Sequence, residues 1–184
     1  MSREDAISKI INLIDKDDVV VSTTGKASRE LCELRKNKGH NNSSDFFVIG
    51  SMGHASSISL GISLQKPDRN IFCLDGDGSL VMHMGSLATI GKYSYNNFKH
   101  ILINNYSHDS VGGQQSSSDI IDFSLLSKAV SYKNYFKIES EDDFVNIFSN
   151  FQESSGPSFL EIIVKKGSRK DLGRPESSPI QNKT

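Results

Sequence analysis

Six short apolar runs, separated by segments of helical spacing, constrain the fold of this chain more than any other property. They fall at Val19 to Ser22, Phe46 to Ile49, Ile71 to Leu74, Ile101 to Ile103, Tyr135 to Ile138 and Phe159 to Val164. Each is too short for a helix and is apolar at nearly every position, as strands covered on both faces are. Between the runs, apolar residues recur at helical spacing. Ala6, Ile7, Ile10, Ile11 and Ile14 predict a first helix ending near Asp15, and further helices are predicted over Lys26 to Arg35, Ala55 to Leu64, Leu80 to Ile90, Phe123 to Val130 and Asp142 to Phe148. Strand and helix in alternation predict an α/β fold: a six-stranded, mostly parallel sheet with helices on both faces. Ligands of such sheets bind beyond the carboxyl ends of the strands, where strand order changes direction.

The chain has 184 residues, which suits one domain and leaves no room for a second full α/β domain. Residues 1–166 are expected to form that domain and residues 167–184, with several charges and the prolines Pro175 and Pro179, a surface tail. The formal net charge of −1 gives no overall field to recruit nucleic acid or an anionic membrane, so an anionic ligand must be met by a local site. The opening MSREDAISKI carries acids and no long apolar run, so it reads as neither signal peptide nor membrane span. Cys32 and Cys73 lack disulfide or zinc spacing and read as buried small apolar side chains, and a cytoplasmic location is expected.

Three polar, glycine-bearing loops leave predicted strands at Thr23 to Lys26, Gly50 to Gly53 and Asp75 to Ser79. The last is the most telling. In Asp75-Gly76-Asp77-Gly78-Ser79 the glycines permit a tight turn and a close approach of ligand to backbone, and Asp77 projects a hard anionic oxygen into the opening. One helix-and-strand crossover later, Asn104-Asn105 delivers an amide oxygen to the same end of the sheet. A carboxylate, an amide oxygen and one loop carbonyl are half of an Mg²⁺ octahedron, and diphosphate oxygens and a water complete it. Thr23-Thr24-Gly25-Lys26 lacks the GxxxxGK[ST] spacing of a P-loop and is assigned to the rim, with Thr24 as hydrogen-bond donor to the diphosphate.

The GDG…NN pair resembles the signature of thiamine diphosphate enzymes. The resemblance implies that Asp77, Asn105 and the carbonyl of Ser107 bind the metal, that Gly76, Asp77, Gly78 and Ser79 cradle the diphosphate, and that Asn104 orients the loop. Gly50-Ser51-Met52-Gly53 is similar to the segment on which related decarboxylases seat the aminopyrimidine. There Met52 would be the apolar wedge under the bent cofactor, and the Gly50 carbonyl would accept from the 4′-amino group. The strings STTGKASREL, GSMGHASSISLGI, LDGDGSLVMHMGSLATIG, NNYSHDSVGGQ and KKGSRKDLGRP resemble, more narrowly, the phosphonopyruvate decarboxylase family, and the GSMG and GDG regions also resemble sulfopyruvate decarboxylase β subunits.

That resemblance implies thiamine diphosphate and Mg²⁺ as cofactors and decarboxylation of 3-phosphonopyruvate, a small 2-oxo acid. Sulfopyruvate decarboxylation, or a non-catalytic cofactor-binding role, stands as the alternative. His108, Ser110 and Gln114, in a loop read as flexible, are placed to line the cavity over the reacting carbon, so His108 and Gln114 join Met52 as candidate catalytic residues. His54 and His83 fit either packing or substrate contact. Lys166, Arg169, Lys170 and Arg174 form a basic cluster from which one Arg could reach an anion. The family also needs a glutamate beside N1′ of the aminopyrimidine, and Glu30, Glu33 and Glu161, on predicted helix and strand, are poorly placed to supply it. A separate pyrimidine-binding subunit is therefore expected, in a hetero-oligomer.

Overall fold

A computed structural model of the chain describes residues 1–39 and 44–173. The elements follow in the order α1 (Arg3–Leu13), β1 (Val19–Ser22), α2 (Lys26–Asn37), β2 (Asp45–Phe47), α3 (Ala55–Gln65), β3 (Ile71–Gly76), α4 (Asp77–Met82), α5 (Ser86–Tyr93), β4 (Phe98–Asn104), a 3-10 turn (Ser117–Ile120), α6 (Phe123–Ala129), β5 (Asn134–Ile138), α7 (Phe144–Glu153) and β6 (Ser158–Ile163). The six strands form one sheet in the order β2-β1-β3-β4-β6-β5, and every pairing is parallel.

Side chains alternate between the two faces of each strand. Phe72 and Leu74 of β3 and Ile101 and Ile103 of β4 meet α1, α2 and α7 through Ile7, Leu31, Phe144, Phe148 and Phe151. Ile71 and Cys73, with Phe98 and Leu102, meet the helices of the other face through Ala55, Leu60, Leu80, Leu87, Ile90 and Phe123. The chain is thus a three-layer α/β/α sandwich, and both faces of the central strands are dry. That explains why the strands read as continuous apolar runs.

The direction of winding reverses between β1 and β3. From β1 the chain moves outward to β2, then returns through α3 to place β3 on the other side of β1. The loops after β1 and β3 therefore splay apart at the carboxyl edge and leave a crevice. The loop after β4 closes its third side.

Three sequence readings are corrected. The segment predicted as one helix over Leu80 to Ile90 is two, broken where His83 leaves helical geometry at φ −131 and ψ 38. Met82 and Met84 are exposed, so the apolar spacing that suggested continuity included side chains that belong to no core. The loop read as flexible after Asn105 is a folded hairpin: His108 N donates to Gln114 O at 2.8 Å, Ser116 N to Tyr106 O at 3.1 Å, and Val111 N and Gly113 N both to His108 O at 3.0 Å. Cys73 is buried as expected, but Cys32 only half so. Of the predicted tail, residues 167–173 fold back onto the first two helices. Arg169 pairs with Glu4, Glu33 and Asp171, and Gly173 N donates to Glu33 at 2.6 Å. Arg174 and the rest of the tail to 184, like 40–43 of the predicted 37–44 loop, lie outside the described residues. No described helix is long and apolar enough to cross a membrane.

Candidate active site

A cleft of about 470 Å³, open to solvent, occupies the crevice between the β1, β3 and β4 loops. Its walls bring together Thr24, Met52, Gly76, Asp77, Gly78, Ser79, Asn105, Ser107 and His108, residues drawn from four separate stretches of sequence. Gly50, Ser51 and Gln114 are not among its lining residues. Gln114 contributes its carbonyl to the hairpin, and its side-chain amide lies over Gly112 at the exposed loop tip.

Asp77 opens α4, where its carboxylate meets the positive end of the helix and the Ser107 N–H of the neighbouring loop. Although only 3% exposed, it is not left bare: Oδ2 accepts from Ser107 N at 3.1 Å, from Ser118 Oγ at 3.0 Å and from Ser116 Oγ. These hydrogen bonds all fall on one oxygen and leave Oδ1 clear of them. Asn105 Oδ1 accepts from the same Ser107 N–H at 3.1 Å, while its Nδ2 donates to Asp109 at 2.7 Å. Between Asn105 and Ser107, Tyr106 takes φ +56, a left-handed conformation that costs a non-glycine residue roughly 1–2 kcal/mol. This turn brings Ser107 round against Asp77. Hard oxygen donors meeting in a half-closed cleft are the donor chemistry a magnesium ion takes, so Asp77, Asn105 and Ser107 fit one.

Asn104 faces away from the cleft chemistry. Its Nδ2 donates to Glu161 Oε1 at 2.7 Å and its Oδ1 accepts from Tyr106 N and Ser118 Oγ, each at 3.2 Å, so it ties the loop to β6. Glu161 also accepts from Tyr135 OH, Glu30 is held by Arg3, and Glu33 by Arg169. Each of these three carboxylates is engaged within this chain.

Met52 rides on a strained turn in which Gly50, Ser51 and Gly53 have φ of +73, +36 and +90. The turn is pinned by Gly53 N donating to Ser79 Oγ at 3.0 Å, and Ser79 Oγ is itself 2.8 Å from Thr23 Oγ1. Ser79 thus couples the loops after β1, β2 and β3, and Thr23 is committed to that bond, which leaves Thr24 the freer hydroxyl. Two glycines are demanded by neighbours. A Cβ on Gly53 would lie 2.3 Å from the His83 ring, and one on Gly78 2.4 Å from the His108 ring. His108 therefore lies directly on the diphosphate-loop candidate, whereas His83 and His54, 4.2 Å apart between ring centroids, pack outside the cleft lining.

Sequence reasoning missed Arg3 and Asp109 as cleft neighbours and named Lys26 only as part of a rim, whereas Ser110 lines the cleft as expected. Asp109 stood in the HDS string beside His108, and its carboxylate gave a signal; Arg3 gave none. Burial raises the Asp109 carboxyl, but hydrogen bonds from Gly167 N–H and Arg3 outweigh it, and the group lies below the usual carboxylate range. Lys26 Nζ reaches Ser168 Oγ at 2.6 Å, a neutral partner that leaves its charge available to the cleft. Arg169, the tail cation considered for substrate, is engaged instead by three carboxylates.

Residues 23–162 match the family model described as thiamine pyrophosphate enzyme, C-terminal TPP binding domain. The phosphonopyruvate decarboxylase of Streptomyces viridochromogenes is 35% identical over 176 residues, which is 96% of this chain and 43% of that protein. The sulfopyruvate decarboxylase subunit beta of Methanothermobacter thermautotrophicus is 33% identical over 170 residues, 91% of this chain and 84% of that subunit. A solved structure from Mycobacterium smegmatis, assigned as a thiamin diphosphate-dependent enzyme, superposes with a TM-score of 0.75 at 19% identity, covering 91% of this chain and 32% of that one. It shows the fold.

Proposed function

The chain belongs to the family of C-terminal thiamine pyrophosphate-binding domains, and from that membership we propose that it binds the diphosphate of thiamine diphosphate through Mg²⁺ as part of a cytoplasmic 2-oxo acid decarboxylase acting on 3-phosphonopyruvate. The chain spans 43% of the length of the phosphonopyruvate decarboxylases it matches. The observation that carries the reading is the meeting of Asp77 and Asn105 oxygens on one N–H, in a cleft at the β1/β3 reversal.

In this reading Asp77, Asn105 and the Ser107 carbonyl hold the cation, and Gly76, Gly78, Ser79 and Thr24 approach the diphosphate. When bound, the cofactor supplies the electron sink for loss of carbon dioxide. Met52, held rigidly by its turn, supports the cofactor's bend, and Gly50 and Ser51 shape that turn. His108, resting on Gly78, and Lys26 present donors to the substrate's anionic end. A phosphonate can carry a second negative charge that a sulfonate cannot, which favours 3-phosphonopyruvate at a cleft with these two side chains.

The glutamate that activates N1′ comes from a pyrimidine-binding module, since Glu30, Glu33 and Glu161 are engaged elsewhere. That relatives of similar extent are named as beta subunits supports a separate partner chain. Their similarity also keeps sulfopyruvate as the second reading. The test is turnover of 3-phosphonopyruvate and sulfopyruvate, side by side, with thiamine diphosphate, Mg²⁺ and the pyrimidine-binding partner, following aldehyde from 3-phosphonopyruvate with a coupled reductase and carbon dioxide from both. Faster turnover of 3-phosphonopyruvate is expected. Consumption of sulfopyruvate alone would reassign the substrate, and cofactor binding without turnover of either would leave a binding subunit.

A further inference from the structure

Asn105 serves a cation only if its amide oxygen, not its NH₂, faces the cleft. The two ends of an amide have nearly the same shape, so packing does not choose between them; hydrogen bonding does. On one side the Ser107 N–H can only donate, and it points at Oδ1 from 3.1 Å. On the other side Asp109 is a carboxylate that can only accept, and its Oδ2 lies 2.7 Å from Nδ2. Asp109 is itself fixed. The same Oδ2 accepts from Arg3 Nη1 at 3.0 Å and from Gly167 N at 2.9 Å. Arg3 in turn is clamped on Glu30 of α2 through Nε at 2.7 Å and Nη2 at 3.0 Å.

We propose that Asp109 is a positioning residue of the metal site: it sets the Asn105 amide so that Oδ1 faces the cation, and Arg3 anchors it to the helical layer. The inference rests on the metal reading above. It explains why a carboxylate and an arginine lie beside a diphosphate cleft. Asp109 touches neither cation nor substrate; it acts by forbidding the amide rotamer that would present NH₂ to a positive ion. Because outer-shell partners commonly tune metal affinity by about 10- to 100-fold, loss of the acceptor should weaken cation binding on that scale.

The test is Mn²⁺ binding, followed by electron paramagnetic resonance at saturating thiamine diphosphate, in the protein assembled with its pyrimidine-binding partner. Asp109→Ala is expected to bind Mn²⁺ about 10- to 100-fold more weakly, with cofactor occupancy restored by raising Mn²⁺. Asp109→Asn keeps an acceptor oxygen toward the Asn105 NH₂ and should recover most of the loss. Arg169→Ala releases the tail from Glu4 and Glu33 but leaves the Asn105–Asp109 and Arg3–Asp109 contacts in place, and should bind Mn²⁺ as the parent does. Parental affinity in Asp109→Ala overturns the proposal. So does an Asp109→Asn variant, folded to the parent's thermal midpoint, that binds as weakly as Asp109→Ala, or an equal loss in Arg169→Ala, which would trace the effect to tail docking. Loss of Mn²⁺ in Asp77→Ala with retention in Asp109→Ala rejects only the positioning role; a parent that binds no Mn²⁺ rejects the metal reading and the proposal together.

Discussion

Asp77 and Asn105 share one hydrogen-bond donor: the Ser107 N–H lies 3.1 Å from Asp77 Oδ2 and 3.1 Å from Asn105 Oδ1. A single N–H thus gathers oxygens from two adjacent strand ends, which in the proposed metal reading lowers the reorganisation that binding would demand.

Removal of the charged member should be the most damaging change at the site. Asp77→Ala is expected to weaken Mg²⁺-dependent binding of thiamine diphosphate by more than about a hundredfold, and Asn105→Ala by less. The Ala variant also removes the acceptor shared by the Ser107 N–H, which keeps Asn105 Oδ1, and by the Ser116 and Ser118 hydroxyls, which keep each other, so its stability should fall by about 1 kcal/mol. Asp77→Asn keeps an acceptor there and separates the two effects. Titration calorimetry with and without Mg²⁺ checks this; unchanged cofactor affinity in Asp77→Ala and Asp77→Asn would falsify the metal assignment.

Met52 makes a different prediction, because it contributes shape and not charge. Met52→Ala should slow deuterium exchange at C2 of the bound cofactor by about ten- to a hundredfold while diphosphate affinity falls much less, since Ser79 and Thr24 are untouched. Exchange at the parent rate, measured by NMR after acid quench, would remove Met52 from the cofactor's support.

The strands were legible because dry faces on both sides force apolar runs, and their starts at Val19 and Ile71 match the sequence reading. β4 was legible only in its apolar second half. It begins at Phe98 and carries Lys99 and His100, polar residues that look like loop in sequence but are buried in partnered positions. β2 erred in the opposite sense: Ile49 is apolar yet exposed beyond the last paired residue. At the site, GDG and NN pointed to Asp77 and Asn105 because they are short strings of fixed residue type and spacing at strand ends, and the structure brings both side chains to one cleft. Arg3 is 106 residues from Asp109 and its neighbours carry no pattern, so only folding reveals the contact.

Beneath the Asp77 loop lies a buried polar pair with a stability cost attached. Asp75 Oδ2 and His100 Nε2 face each other at 3.6 Å, and among the described residues neither atom has a hydrogen-bond partner; the other His100 nitrogen is 2.9 Å from Tyr132 OH. His100→Leu would strand the Asp75 carboxylate in a dry layer beside Cys73, whose thiol burial pushes well above its ordinary range. The expected loss is about 1–3 kcal/mol by urea denaturation. In a double-mutant cycle, Asp75→Asn should cost much less in the His100→Leu background than alone. Additive losses would mean that the two side chains are independent.

Lys99 gives the chain a pH dependence whose sign can be worked out. The side chain is 1% exposed, and its ammonium donates to the carbonyls of Phe151 and Ser154 below the aromatic layer of α7. Burial lowers its pKa from 10.5 to about 8, with Asp18 opposing the shift. Between these two values the unfolded chain holds the proton and the folded chain has released it, so raising pH favours the folded state across that window. Below pH 8 both states are protonated and the cost of burying the charge is fully present; above 10.5 neither is, and the cost is gone. Lys99→Met cannot titrate, although it leaves the two carbonyls without their donor at every pH. The stability of the parent relative to Lys99→Met should therefore rise steadily from pH 8 to 10.5 and stay level between pH 6 and 7.5, whichever protein is the more stable at neutrality. Subtracting the variant removes the background titration of exposed Lys and Tyr residues common to both. Urea midpoints at half-unit intervals measure the difference, and a flat difference across the window would mean that Lys99 keeps its proton in the folded chain as readily as in water.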